Sequence, residues 1–136
     1  MKNLITIILI SFFLAFQANA QAEKTLVKSV DLNGNIAVAA VFSGNTVVNE
    51  WDKDFVRVTT RIELTNSNSS ILERLVSAGR YEVKVDEKNG EVLLSMPKVL
   101  KPVNLQGNNL IEKFSYEVMI PKRTSIRIEQ PVSEGI

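Results

Sequence analysis

With 136 residues, 16 Lys and Arg against 15 Asp and Glu, and neither His nor Cys, the chain excludes several chemistries at once. There is no Ser-His-Asp triad, no Cys nucleophile, no His-based zinc site and no disulfide. The near balance of charge gives no global pull towards nucleic acid or anionic membrane, so no nucleic-acid role is expected.

Met1-Lys2-Asn3 carries one positive charge, and residues 4–16 (LITIILISFFLAF) form an apolar run interrupted only by Thr6 and Ser11. Gln17-Ala18-Asn19-Ala20 follows. A basic start, an apolar run and an Ala-x-Ala ending are the parts of a secretory signal peptide, with cleavage expected between Ala20 and Gln21. A membrane anchor would need about 20 apolar residues, and this run is too short. The predicted organisation is therefore a signal over residues 1–20 and one exported β-domain over 21–136, in the periplasm or at the cell surface. No transmembrane segment is expected after cleavage. Without Cys at the cleavage point there is no lipid anchor either. The mature chain would keep 116 residues and 15 charges of each sign, a size that buries about two-thirds of its unfolded surface.

Residues 24–29 (KTLVKS) suit a first edge strand, and Asp31-Leu32-Asn33-Gly34-Asn35 a turn, because Asn-Gly supplies positive φ readily. Residues 36–42 (IAVAAVF) predict a short strand of small apolar residues. Ser43-Gly44-Asn45 turns the chain into a strand at Thr46-Val47-Val48. Trp51-Asp52-Lys53-Asp54 then leads into the longest alternating stretch, with Val56, Val58, Thr60, Ile62 and Leu64 on one face. Arg57, Thr59, Arg61 and Glu63 take the other, the pattern of a half-buried strand.

Residues 65–70 (TNSNSS) are polar and offer Asn68, Ser69 and Ser70 as helix caps, Ser70 standing at capping-box spacing from Glu73. Ile71, Leu72, Leu75 and Val76 recur at helical spacing up to Gly79, predicting a short amphipathic helix over 71–78. Asn68-Ser69-Ser70 also fits the glycosylation triplet. Residues 81–86 and 91–96 alternate about Asn89-Gly90 and predict a hairpin with a loop at 87–90. Residues 98–109 read as a loop containing Pro102 and Gly107. Residues 112–120 alternate with Phe114, Tyr116, Val118 and Ile120 inward, and residues 125–129 add a strand with Ile126 and Ile128 inward. Gly135-Ile136 reads as the start of a further strand, which predicts truncation. The fold class expected is all-β with one short helix, built from antiparallel strands and hairpins.

Candidate chemistry is sparse. Glu63, Glu82 and Glu117 are available to a carboxylate-pair hydrolase, but each stands on the polar side of an alternating strand, where a solvated face explains it. Asp31-x-Asn33-Gly34-Asn35 faintly resembles a calcium loop, yet Gly34 stands fourth rather than sixth and Phe42 replaces the twelfth-position Glu. Asp52 and Asp54 are further oxygen donors that turn formation explains equally well. Arg57 and Arg61 share one strand face, and Arg127 points outward from the last strand. Were those strands neighbours, the three would form a basic stripe for anionic glycan; cross-strand pairing with Glu63, Glu117 or Glu129 is the plainer use. Trp51 is expected to cover its turn, with ligand contact as the alternative. No Gly-rich phosphate loop is present, no metal or cofactor is expected, and alternating segments are too few for a membrane barrel.

Trp51-Asp52-Lys53-Asp54-Phe55-Val56-Arg57-Val58 resembles the strand, turn and strand signature of the bacterial putative-adhesin family of exported β-solenoid proteins. Gly79-Arg80-Tyr81-Glu82-Val83, the Asn89-Gly90 hairpin through Met96-Pro97, and Tyr116-Glu117-Val118-Met119-Ile120-Pro121 fit the same pattern, as does the lead-in at Ser125-Ile126-Arg127-Ile128. The similarity extends from about Val30 to the end of the chain. It implies stacked solenoid rungs beginning near Glu134-Gly135-Ile136, and it carries no catalytic residues. The function expected is a non-enzymatic adhesion or interaction module at the cell envelope, with an unidentified protein or glycan as partner. Its surface contacts would come from Trp51, Arg57, Arg61 and Arg127, or from an open strand edge. A periplasmic glycan- or small-ligand-binding module is the alternative.

Overall fold

The longest alternating stretch becomes strand β4 (Val56–Leu64), and its faces part as the pattern dictates. Val56, Val58, Ile62 and Leu64 are fully enclosed, with Thr60 beside them at 1% exposure. The structure, a computed structural model, describes residues 22–132. The signal segment, the Ala20–Gln21 cleavage point and the Glu134-Gly135-Ile136 end lie outside the described residues.

Two open four-stranded sheets carry the fold. In the first, β1 (Ala22–Val30) pairs antiparallel with β4, from Ala22 opposite Leu64 to Val30 opposite Val56. On the far side of β4 lies antiparallel β9 (Glu112–Pro121), and β3 (Asn45–Trp51) closes the row parallel to β9. The second sheet runs β10 (Ser125–Glu129), β2 (Ala37–Val41), β6 (Glu91–Ser95) and β5 (Lys84–Lys88). Both neighbours of β2 run parallel to it, and β5 returns antiparallel beside β6.

Among the described residues the architecture is therefore mostly β with one short helix, and both four-stranded sheets are mixed rather than antiparallel. The chain changes sheet between β1 and β2, between β2 and β3, between β4 and β5, on the way from β6 to β9, and between β9 and β10, so strands that follow one another in sequence seldom pair; parallel pairs need such crossovers. Solenoid rungs stack in chain order, each on its neighbours. Here β2 lies between β10 and β6, and a solenoid is not shown among the described residues.

Inner faces of both sheets supply one hydrophobic core. Val38, Ala40, Val92 and Leu94 meet Val58, Ile62, Tyr116 and Val118. Phe42, just beyond β2, stacks on Tyr116 with ring centroids 4.3 Å apart and joins the layers. The inward pattern expected of β9 holds for Tyr116, Val118 and Ile120, with Phe114 packed at the core margin. On β10 it holds for Ile126 only. Ile128 is 38% exposed, because β10 is an edge strand with cover on one side.

Helix α1 (Ser69–Ser77) is capped by Asn68, whose Oδ1 accepts from the Ile71 N–H at 3.0 Å, so Ser70 lies inside the helix. At its other end Gly79 takes φ +79°, and the Gly79 and Arg80 N–H groups donate to the carbonyls of Val76 and Leu75. That closure satisfies carbonyls which the helix leaves open. Leu72 is buried, and Ile71, Leu75 and Val76 pack against the core.

The hairpin is present but displaced. Its loop is only Asn89-Gly90, both at positive φ (54° and 76°), which gives the tight turn matched to strand twist. β5 consequently starts at Lys84; Tyr81 and Val83, expected in that strand, leave the ladder and bury themselves instead. The predicted 98–109 loop contains a 3₁₀ turn (Pro97–Leu100) and a second tight hairpin of β7 (Asn104–Leu105) and β8 (Asn108–Asn109). Gln106 and Gly107, at φ 52° and 87°, form its turn.

Candidate functional site

β4 and β9 are antiparallel neighbours with Leu64 opposite Glu112, so the chain leaves one and enters the other at the same end of the sheet. The segment after β4 and the hairpin before β9 therefore meet, although some forty positions separate them. Thr65 N–H donates to the Ile111 carbonyl at 3.2 Å. Asn66 then acts as a side-chain continuation of the ladder: its Oδ1 accepts from Ile111 N–H and its Nδ2 donates to the Asn109 carbonyl, both at 2.9 Å. The hairpin is closed by Leu110 N–H on the Val103 carbonyl at 2.8 Å and by Asn104 Oδ1 accepting from Gly107 N–H at 3.0 Å.

Between these two segments lies an open cleft of about 770 Å³, within the range of roughly 300–1,000 Å³ typical of ligand sites. Six side-chain amides line it: Asn66, Asn68, Asn104, Gln106, Asn108 and Asn109. Ser67 adds a hydroxyl, and Ile71, Leu105 and Ile111 form apolar patches. No charged residue lines it. Asn66 joins the two walls, Asn104 bonds within the hairpin and the Oδ1 of Asn68 caps α1, whereas the amides of Gln106 and Asn108 have no hydrogen-bond partner among the described residues.

Behind the cleft floor, next to Ile111, a buried ion pair fixes the start of β9. Arg80 and Glu112 are 9% and 8% exposed. Arg80 Nη2 and Nε donate to the two Glu112 oxygens at 2.6 and 3.0 Å, Nη1 donates to the Lys98 carbonyl at 3.0 Å, and Tyr81 Oη–H donates to Glu112 at 2.6 Å. The Glu112 hydrogen bond raises the guanidinium pKa further, and burial, aided by Glu112, drives the Tyr81 hydroxyl pKa upward. One bidentate pair thus ties the end of α1, the 3₁₀ turn and β9 together.

The residues proposed from sequence as surface contacts do not converge. Arg57 and Arg61 share the outer face of β4, but Arg127 belongs to β10 in the other sheet, so no common basic stripe exists. Arg61 is spent on Glu23, at 2.6 and 3.0 Å, and on Glu63 at 3.0 Å. Its hydrogen bond holds the Glu23 carboxyl below the usual range. Arg127 pairs with Glu91 at 2.7 Å and with Glu129. Arg57 lies over the Trp51 ring, 4.9 Å from its centroid, and Trp51 is half-buried, edge-on to Phe55, with Nε1 donating to the Phe55 carbonyl at 2.9 Å. Trp51 covers its own turn.

The acidic candidates are also dispersed. Glu63 stands opposite Lys113 and Glu117 opposite Thr59, four positions apart along β9. At about 3.3 Å per residue that is roughly 13 Å, beyond the roughly 5–9.5 Å that glycoside hydrolysis uses. Asp31 Oδ1 accepts from Asn33 N–H at 2.8 Å and so builds a turn, while exposed Asp52 pairs with Lys122 at 2.7 Å. The cleft itself was missed. Its polar segments are visible in the sequence, but nothing there says that they meet.

No protein-family model matches the chain, and no curated protein does. Among solved structures it is similar to a protein from Clostridium sporogenes ATCC 15579 described as a putative cell adhesion protein, at 11% identity and a TM-score of 0.42. The likeness covers 79% of this chain and 46% of that one, so this chain spans less than half of that protein's length. None of these comparisons shows the family that the sequence motifs resemble. No helix among the described residues is long and apolar enough to cross a membrane.

Proposed function

We propose that this protein is an exported, non-enzymatic recognition domain, an adhesion or interaction module of the cell envelope, and that it binds through the amide-lined cleft. The observation that carries the reading is the composition of that lining: amides, one hydroxyl and aliphatic side chains, without a carboxylate, amine or guanidinium. Such a surface can hold a ligand and has no group to transform it. Export is supported by the apolar run at residues 4–16 and the Ala18-Asn19-Ala20 ending.

The test is binding of the labelled, purified protein to intact cells and isolated envelopes. The double variant Gln106→Ala, Asn108→Ala should lose most of the binding. The double variant Glu63→Gln, Glu117→Gln should retain it, and no product should form. Binding indifferent to the cleft variant would overturn the reading.

A further inference from the structure

We infer that the ligand of the cleft is a neutral, polyhydroxylated glycan chain. This inference rests on the recognition reading above and names the chemistry of the partner. Sugar hydroxyls both donate and accept hydrogen bonds, and a side-chain amide is the uncharged group that does both from one rigid plane. Gln106 and Asn108 present two such planes with no other partner among the described residues, and Asn68 keeps its Nδ2 free while Oδ1 caps α1. Half-buried Ile71 and Leu105, with Ile111 at 54% exposure, give the C–H faces of a sugar aliphatic surface to cover.

The absence of Lys and Arg from the lining argues against sulfated, phosphorylated or sialylated chains, which call for charge-assisted donors. An extended peptide fits less well. Binding by strand addition needs a long open edge, and the cleft's own strands, β7 and β8, are two residues each. An amphipathic helix would need a continuous apolar groove, and here amides interrupt it.

The experiment is an array of neutral, sulfated and sialylated oligosaccharides, with unrelated peptides alongside, probed with the full protein at ~0.1 M and ~1 M salt; screening length falls from roughly 10 to 3 Å between these. Retention of neutral oligosaccharides, equal at both salts, is expected. Gln106→Ala with Asn108→Ala should weaken it about tenfold, the size of two lost hydrogen bonds. Arg61→Ala, on the outer face of β4, should leave it unchanged. Circular dichroism of the double variant separates lost contact from lost fold. Binding confined to anionic sugars, or neutral binding that the double variant leaves intact, would overturn the inference. A blank glycan array, or retention on peptides alone, with cleft-dependent envelope binding preserved would refute the glycan and leave the recognition reading standing. Blank arrays and no envelope binding would remove both.

Discussion

The body of the molecule and its cleft end are held together by different means. In the body, β4 and β9 lie at the centre of a sheet whose inner side chains are wholly enclosed, and apolar burial specifies the register. At the cleft end, strands shrink to two residues, the walls are joined by a few hydrogen bonds from Thr65 and Asn66, and Asn104 braces the hairpin from within. The first region derives its order from area removed from water. The second derives it from individually modest bonds between exposed groups. Binding residues placed at the second can therefore change with little effect on the fold.

Glu112 is where the two regions are fastened, and breaking it should erase the distinction. Glu112→Ala would leave the buried Arg80 guanidinium without its carboxylate, a loss of about 3–5 kcal/mol for such a pair. Denaturant unfolding should show this drop, and the cleft should lose binding with it, because the start of β9 is no longer fixed. A smaller effect should come from the helix cap. Asn68→Ala removes the acceptor of the Ile71 N–H and should cost about 1 kcal/mol in the same assay.

Tyr116 sharpens the comparison from the body's side. Its buried hydroxyl has no partner among the described residues, so Tyr116→Phe should be neutral or stabilise by up to about 1 kcal/mol. Burial, and secondarily the Glu112 charge, raises its pKa above the ordinary value of 10.0 in the folded protein. Below that ordinary value both states keep the proton and stability is full. Above it the unfolded chain releases a proton that the folded chain retains, so stability falls as pH rises. Tyr116→Phe should reduce this alkaline loss, the remainder belonging to Tyr81, whose pKa burial also raises; the measurement is unfolding midpoints from pH 9 to 11 (a window about the ordinary tyrosine value), and an unchanged slope would show that Tyr116 contributes nothing to it.

Legibility in the sequence follows the same division. Alternation at Val56, Val58, Thr60, Ile62 and Leu64 reveals a half-buried strand, because one side of it must face the core. Helical spacing from Ile71 and the glycine after it reveal α1 for the same reason. Pairing direction is invisible, since alternation is identical in parallel and antiparallel strands, and the β2 neighbours came out parallel. Tyr81 misled because a buried residue beside a strand looks like a strand residue. The cleft left no periodic trace: Asn66 and Asn109 meet only through the β4–β9 register, and Arg80 and Glu112 find each other by the same route. Arg61 and Arg127 were legible as outward, and their use in ion pairs follows from the acids beside them.

The most direct test measures fold and recognition on one variant. Gln106→Ala with Asn108→Ala alters exposed hairpin positions, where substitutions usually stay within about 0.5 kcal/mol. The account predicts an unfolding midpoint indistinguishable from that of the unaltered protein, together with loss of envelope binding. Retained binding would contradict it, as would a fall in stability large enough to explain the loss.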